Sequence, residues 1–291
     1  MNKLKSINNK YLFISILFFT VLVFILYQDT LNSDFIFDDH ISIVANESIK
    51  NLFDISTIIN NSGGRPLGYL TFAINYFFDE LNVFGYHFVN LIIHIINGVL
   101  IIILTQLTLK TSYFVNVCKF DQNKKQLLSF FCGLIFIVHP IQTQAVAYIT
   151  QRFTSLSYLF YILCLITYLK CRLNWDFIPI RYKIFYVVIL TIFFLSGIFT
   201  KETVYTLPLT IMLYEYCFFN RKIQLKNLGY VLGVFLVAFS FILFFHDLNI
   251  IFSTKYIYSS NEYINSYEYC LTSFRVLLTY IRLIFFPFNQ M

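Results

Sequence analysis

Apolar residues gather in windows along the chain, at 11–27, 88–109, 127–138, 153–169, 184–199, 204–219, 228–245 and 274–288. A helix that crosses a bilayer needs about 17–25 mainly apolar residues. Several windows fall short and must recruit their flanks, and 127–138 is the marginal one. The pattern predicts an all-α polytopic membrane protein with about eight transmembrane helices. Between the first two spans runs a loop, 28–87, far longer than a plain connection. Inside it, Ile49, Leu52, Phe53, Ile55, Ile58 and Ile59 recur at helical spacing and predict an amphipathic helix in the membrane interface. The stretch "RPLGYLTFAINYFF" that follows is apolar all round but too short to cross, so it is expected beside the bilayer or dipping into it. A second outer loop, 247–273, is polar and Tyr-rich and is expected to help roof a cavity on the same side.

Composition agrees with this picture: 58% of residues are hydrophobic and 12% charged, whereas soluble domains carry about 25% charged residues. Lys3, Lys5 and Lys10 precede the first window, and no small-residue cleavage site follows Tyr27, so that window reads as a retained helix. With the N-terminus inside, most basic residues fall on the cytoplasmic face, from Lys110 and Lys125 through Lys170, Arg172, Arg181 and Lys183 to Arg221 and Lys226. The net charge of +6 is then a mark of topology, with no nucleic-acid partner. The inner loops hold no GxxxxGK[ST] or GxGxxG, so no nucleotide site is expected there. The six cysteines form no CxxC and read as structural thiols.

Ionisable groups collect at one depth, the outer boundary: Asp38, Asp39, Arg65, His87, His139, Arg152, Lys201, Glu202 and Arg275. Charges near hydrocarbon are expensive and mark candidate sites, although span-end charges commonly snorkel to water. The adjacent Asp38 and Asp39 suit a general base whose pKa the neighbour raises, a pair of oxygen ligands for a divalent cation, or a solvated acidic turn. Arg65 follows Gly63 and Gly64, which let backbone approach a ligand, and its fork suits phosphate oxygens, as do those of Arg152 and Arg275. Lys201 and Glu202 form a hairpin tip where a mutual ion pair is the simple expectation. His87, Asn90, His94 and Asn97 form one polar seam on an apolar helix, which predicts interhelical hydrogen bonds ahead of a metal site.

Taken in order, these segments resemble the membrane core of the GT-C glycosyltransferases, and within them the transmembrane and tetratricopeptide-repeat O-mannosyltransferase group and its bacterial relatives. The words that carry the likeness are "FDDH", "RPLGYLTFAINY", "YHFVNLIIHIINGVL", "HPIQTQAVAYITQRFTSLSYLFYILCLITYL", "LSGIFTKETVYTLPL" and "SFRVLLTYIRLIFFPFN". The resemblance implies one GT-C-like membrane domain over 1–291, a catalytic first outer loop, and a sugar donor carried on a polyprenyl phosphate. It implies an acidic base in that loop, which falls on Asp38 or Asp39, and a protein or glycan hydroxyl as acceptor. No cofactor is implied; a divalent metal is the alternative. Two positions depart from the related pattern, with Gln144 at a usual glutamate and Thr154 at a common acid. Relatives continue beyond Met291 with more spans and usually helical repeats, so the chain is expected to be incomplete at its C-terminus, with no tetratricopeptide repeat present.

The function expected is a metal-independent, inverting transfer of a mannose-like sugar at the outer face. Arg65, Arg275 and Arg152 or Lys201 would meet the departing phosphate. The rival expectations are a lipid-linked sugar transporter or flippase, and a non-catalytic truncated relative acting as a scaffold. The expected location is a bacterial plasma membrane, because "ITQRF" is similar to the bacterial relatives, with the endoplasmic reticulum as the alternative and the N-terminus cytoplasmic.

Overall fold

The computed structural model describes residues 9–118, 120–219, 257–258, 262–263 and 266–288. Their regular elements are helical, apart from β1 (Ile257–Tyr258) and β2 (Glu262–Tyr263), which pair antiparallel with Ile257 opposite Tyr263. Helix α1 (Asn9–Tyr27) buries Ser15, Phe19, Val23 and Tyr27, one residue per turn, and leaves Phe13, Leu17 and Ile25 exposed as a lipid-compatible face. The long loop then carries a short 3₁₀ turn (Gln28–Asn32), a π turn (His40–Val44), a second 3₁₀ turn (Glu47–Ile49), α2 (Ile55–Asn60) and α3 (Pro66–Asp79).

Helix α4 (Val83–Thr108) is the central post. It packs against α1 and α6 (Gln122–Val138) on one side and α8 (Arg152–Leu173) on another, and α9 (Ile180–Ile198) lies against α8. Short helices α5 (Ser112–Val117), α7 (Thr143–Ala147) and α10 (Leu207–Phe218) fill the turns, and α11 (Ser266–Phe285) closes the described chain. Among the described residues, four segments are long and apolar enough to cross a membrane: Asn9–Asn32, Val83–Thr108, Ile149–Leu173 and Ile180–Ile198. A fifth results if Gln122–Val138 and Pro140–Ala147, bent by 52°, count as one broken span. The protein is thus an all-helical membrane protein with four or five described candidate spans. The marginal window 127–138 is half of the bent pair, because Pro140 lacks the N–H that a continuing helix requires. Window 204–219 yields only the 12-residue α10 after a 3₁₀ turn (Glu202–Thr206). Window 228–245 lies outside the described residues, as does most of the loop 247–273.

The single interfacial helix expected over 49–59 is two pieces. Asn51 Oδ1 accepts from Phe53 N–H (3.2 Å), and Asp54 caps α2 by accepting from Thr57 N–H (3.1 Å) and Thr57 Oγ1–H (2.6 Å). These local bonds compete with helical ones and restart the helix at Ile55. Ile49 and Ile58 still turn inward, packing with Ile43, Phe72, Tyr86, Ile149 and Phe153 into a small core beneath the loop.

The expected polar seam on α4 does bond between helices. His94 Nε2–H reaches the Ile137 carbonyl (3.2 Å), Asn97 Nδ2–H the Ser155 carbonyl (2.9 Å), and Asn90 Nδ2–H the Val146 and Ile149 carbonyls (3.3 Å each). Two of these carbonyls, Val146 and Ile149, belong to the interrupted stretch between α6 and α8, and Ile137 is in the last turn of α6, where helix geometry leaves acceptors free. Buried backbone of that kind must be satisfied from a neighbour. Gly98 and Gly133 bring α4 and α6 together: a Cβ on Gly133 would lie 3.0 Å from the Gly98 carbonyl oxygen and 2.8 Å from Ile102. Backbone cannot move aside as a side chain can. Gly133→Val is therefore expected to destabilise the chain by about 1–3 kcal/mol through overpacking, seen as a lower thermal unfolding midpoint, while Gly63→Ala, with open space around it, shows only the smaller effect of its positive φ.

Candidate functional site

The loop between Asn32 and His40 makes a tight turn at Phe37, whose φ is +45°, a left-handed conformation that large residues seldom adopt. Asp39 holds it. That residue is 1% exposed; its Oδ2 accepts from Ile36 N–H (3.2 Å) and its Oδ1 from Thr150 N–H (2.9 Å), beside the start of α8. The same turn is closed by Asp39 N–H donating to the Ile36 carbonyl (2.9 Å). The two adjacent carboxylates thus part company. Asp39 is a buried staple, and Asp38, exposed, lines a cleft of about 160 Å³. Asp38 N–H donates to Tyr148 Oη (2.9 Å), and Phe37 lies edge-on to the Tyr148 ring.

Arg65 and Lys201 line the same cleft, with Tyr69, Gln151 and Phe153. Gly63 (φ +55°) and Gly64 (φ +86°) form the turn that delivers Arg65 to the first residue before α3, where Pro66 starts the helix. Leu67 N–H donates to the Phe199 carbonyl (3.1 Å), which docks this corner on the end of α9 and brings Lys201 and Glu202 alongside. Arg65 sits 5.7 Å from the Phe153 ring centre and forks onto Glu202, with Nε and Nη2 each 3.2 Å from a carboxylate oxygen. Lys201 Nζ instead donates to Thr154 Oγ1 (2.6 Å), which donates to Gln151 Oε1 (2.7 Å). The mutual Lys201–Glu202 pair expected from the sequence is replaced by these two partners, because the extended Lys201 backbone (φ −161°, ψ 145°) turns successive side chains apart.

Burial and the neighbouring Arg65 guanidinium hold the Lys201 ammonium below the ordinary lysine value, with Glu202 opposing them. For Glu202, burial pushes the carboxyl upward, but its own backbone N–H and Arg65 outweigh it, and it titrates below the ordinary glutamate value of 4.5. The sign follows: the Arg65–Glu202 link is in force above pH 4.5 and weakens as pH falls through the lowered value. The cleft therefore brings together the side chains of Asp38 and Lys201 and an arginine fork occupied by an internal carboxylate.

The other expected site residues are placed elsewhere. Arg152 has no exposed surface and donates to Asn90 Oδ1 (2.7 Å), Asn75 Oδ1 (2.6 Å), the Tyr86 carbonyl (2.8 Å) and the Thr71 carbonyl (3.3 Å), with its guanidinium 4.6 Å from the Phe72 ring centre. It joins α3, α4 and α8 and offers no N–H to a phosphate in the cleft. His87 is buried, with Nε2 3.0 Å from the Ser33 carbonyl. His139 caps the turn after α6, its Nδ1 accepting from Ile141 N–H (3.2 Å), while Nε2 reaches the Ile284 carbonyl (3.1 Å). Arg275 is exposed on α11 and does not line the cleft. Gln144 faces a separate cavity with Asp34 and His87. Among the described residues, no three His, Cys, Asp or Glu gather as metal ligands. Tyr148 and Gln151, which border or hold the cleft residues, carry no charge or spacing signal that marks them beforehand.

No family model matches the chain, and no solved structure matches it. Curated relatives do. Protein O-mannosyl-transferase TMTC3 of Homo sapiens is 29% identical over 185 residues, 57% of this chain and 18% of the relative. Protein O-mannosyl-transferase tmtc2 of Xenopus laevis is 34% identical over 161 residues, 50% of this chain and 17% of the relative. Protein O-mannosyl-transferase Tmtc1 of Drosophila melanogaster is 29% identical over 168 residues, 53% and 18% respectively. The resemblance seen in the sequence motifs thus holds, and the match spans less than about a fifth of these relatives' own length.

Because Arg152 satisfies four acceptors from the core, its loss should act on stability. Hydrogen bonds to charged groups contribute about 1.5–3 kcal/mol each, so Arg152→Met is expected to destabilise the chain by about 3 kcal/mol or more, read as the thermal unfolding midpoint in detergent, whereas Arg65→Ala at the half-exposed cleft leaves that midpoint near wild type.

Proposed function

We propose that this chain is the membrane part of a glycosyltransferase that moves a mannose-like sugar from a polyprenyl-phosphate donor to a protein hydroxyl, with GT-C-type chemistry at the non-cytoplasmic face. The similarity to proteins named protein O-mannosyl-transferases supports the transferase reading. The observation that carries the mechanism is the cleft itself, which Asp38, Arg65 and Lys201 line together. The basic residues of the short loops favour a cytoplasmic N-terminus. The motif likeness to bacterial relatives favours a bacterial plasma membrane.

In this mechanism the donor's phosphate enters beside Arg65 and displaces the Glu202 carboxylate from its fork. Lys201 adds a second positive charge. Asp38 accepts the proton of the acceptor hydroxyl as its oxygen attacks the anomeric carbon. The bond from that carbon to the phosphate oxygen breaks, and the electron pair leaves with the polyprenyl phosphate. A positioned base contributes about 10²–10⁴-fold, and preorganised cations at the leaving group are often worth at least as much. Asp39 keeps the Phe37 turn closed, so that Asp38 stays in place before any ligand arrives.

Transfer of labelled sugar from polyprenyl-phosphate donors, followed in membranes holding the chain with any downstream coding sequence, tests this. Asp38→Asn is expected to lower turnover by about 10²-fold or more with the unfolding midpoint unchanged. Asp39→Asn is expected to lower the midpoint first, since one of its oxygens becomes an NH₂ facing a backbone donor. Equal turnover in wild type and Asp38→Asn would remove Asp38 as the base.

The fork predicts opposite effects at its two ends. Glu202→Gln frees Arg65 and is expected to tighten polyprenyl-phosphate binding at pH 7, while Arg65→Ala weakens it. As pH falls toward the lowered Glu202 value, wild type should approach the affinity of Glu202→Gln at the same pH, measured by titration with the phosphate lipid in neutral nanodiscs. Weaker binding in Glu202→Gln would make the carboxylate part of the donor site instead of its rival.

A further inference from the structure

The turn that presents Asp38 is closed by Asp39 N–H donating to the Ile36 carbonyl, with Phe37 and Asp38 as its two central residues. In a four-residue turn of this kind the peptide group between the central residues can flip while the closing bond is kept, which is how several turn types differ. A flip changes φ at Asp38 and with it the direction of its side chain. The N–H of that same peptide group is the one that meets Tyr148: Asp38 N–H donates to Tyr148 Oη at 2.9 Å, from a residue 110 positions away. The Phe37 ring meets the Tyr148 ring edge-on, with centres 6.3 Å apart. One aromatic residue therefore touches both central residues of a turn whose Phe37 backbone is strained.

Tyr148 is better anchored than the turn it holds. It lies between α7 and a 3₁₀ turn (Ile149–Gln151), and its carbonyl accepts from Gln151 N–H (3.1 Å). On either side of it, the buried residues Val146 and Ile149 have their carbonyls bonded by Asn90 of α4, which also accepts from Arg152. Phe37 and Asp38, by contrast, are exposed. The hydroxyl is mounted on the core, and the exposed turn hangs from it. Thr150, two residues on, holds Asp39 at the end of the turn. That bond leaves the central peptide free to flip; the bond to Tyr148 does not.

We propose that Tyr148 is a positioning residue for the sugar transfer, its hydroxyl fixing the central peptide of the turn so that the Asp38 carboxylate is set toward the cleft before substrates arrive. The catalytic part of this rests on the reading of Asp38 as the base. Tyr148 does not itself line the cleft, so it acts through Asp38 and leaves the donor's contacts alone.

Tyr148→Phe tests this, because it keeps the ring against Phe37 and removes the acceptor. Phenylalanine fills the same half-buried place, so the unfolding midpoint is expected near wild type. Amide exchange over residues 33–40, followed in nanodiscs, is expected to rise about 2–10-fold, the fold-change of one net hydrogen bond, with exchange in α4 and α8 unchanged. In the transfer assay, turnover is expected to fall about tenfold at an unchanged KM for the polyprenyl-phosphate donor. Added to Asp38→Asn, the same substitution should cost nothing further, since both act through one group. A merely structural role would lower turnover in both backgrounds alike. Unchanged exchange over 33–40, wild-type turnover in Tyr148→Phe, or a full further loss in the Asp38→Asn background overturns the proposal. Wild-type turnover in Asp38→Asn would sink the reading of Asp38 as the base by itself, while raised exchange in Tyr148→Phe would still support the hold on the turn.

Discussion

An arginine with no exposed surface must find an acceptor for its N–H groups inside the protein, and the rest of this structure is arranged around that requirement. Arg152 draws Asn90 and the Tyr86 carbonyl from α4, and Asn75 and Thr71 from α3, onto the first turn of α8. Removing a charge from water is expensive unless its hydrogen bonds are replaced. Here the replacements are neutral amides and carbonyls, and the Phe72 ring faces the cation at 4.6 Å. Asn90 works in both directions, accepting from Arg152 and donating to the carbonyls of Val146 and Ile149. One side chain therefore ties the buried cation to the unwound backbone before α8.

That joint decides where the cleft can be. With α3 held to α8 at Arg152, the corner before α3 lies against Phe153 and the end of α9, which is where Arg65 meets Glu202 across the sequence. Thr150, at the same joint, donates to Asp39 and anchors the strained turn from the opposite side. The cleft is thus bounded by segments whose positions are set by buried polar bonds and not by the membrane. At the other end of α8 a second buried group acts alike: Glu215 accepts from Tyr168 and from Arg172 Nε (2.6 Å), joining α10 to α8. Glu215, buried, is engaged there as a structural partner.

Much of this was legible in the chain, and the parts that were not share a cause. The period of the apolar residues located α1, α4, α8 and α9, and the seam of His87, Asn90, His94 and Asn97 indicated bonds between helices, which the last three make while His87 meets the Ser33 carbonyl of the loop. The doubtful window 127–138 is half of a bent pair, interrupted before Pro140. Placing Asp38, Arg65, Lys201 and Glu202 at one depth was enough to bring them into one neighbourhood. Depth alone could not separate Asp38 from Asp39, because the difference lies in a single positive φ at Phe37 and a backbone donor from Thr150. Nor could it tell Arg65, delivered to a cleft by two glycines, from Arg152, which begins a span and turns inward. A charged residue at a span end has the same local signature whether it meets water, a ligand or a buried amide.

The division between the two aspartates also bears on what the departures from the related pattern mean. Thr154 stands where a carboxylate would otherwise face Lys201, and its hydroxyl accepts from that ammonium and passes a hydrogen bond on to Gln151. A hydroxyl leaves the lysine's charge uncompensated, whereas an acid would neutralise it. Gln144 acts similarly in the neighbouring cavity, where it replaces a second negative charge beside Asp34 with a neutral amide. Each exchange removes one anion from the surroundings of Asp38. With the Arg65 fork already engaged by Glu202, Lys201 meets a hydroxyl at Thr154 where an acid would add negative charge against an entering phosphate. The two departures thus bear on the charge of the two cavities, with a hydroxyl and an amide standing where the related pattern has acids.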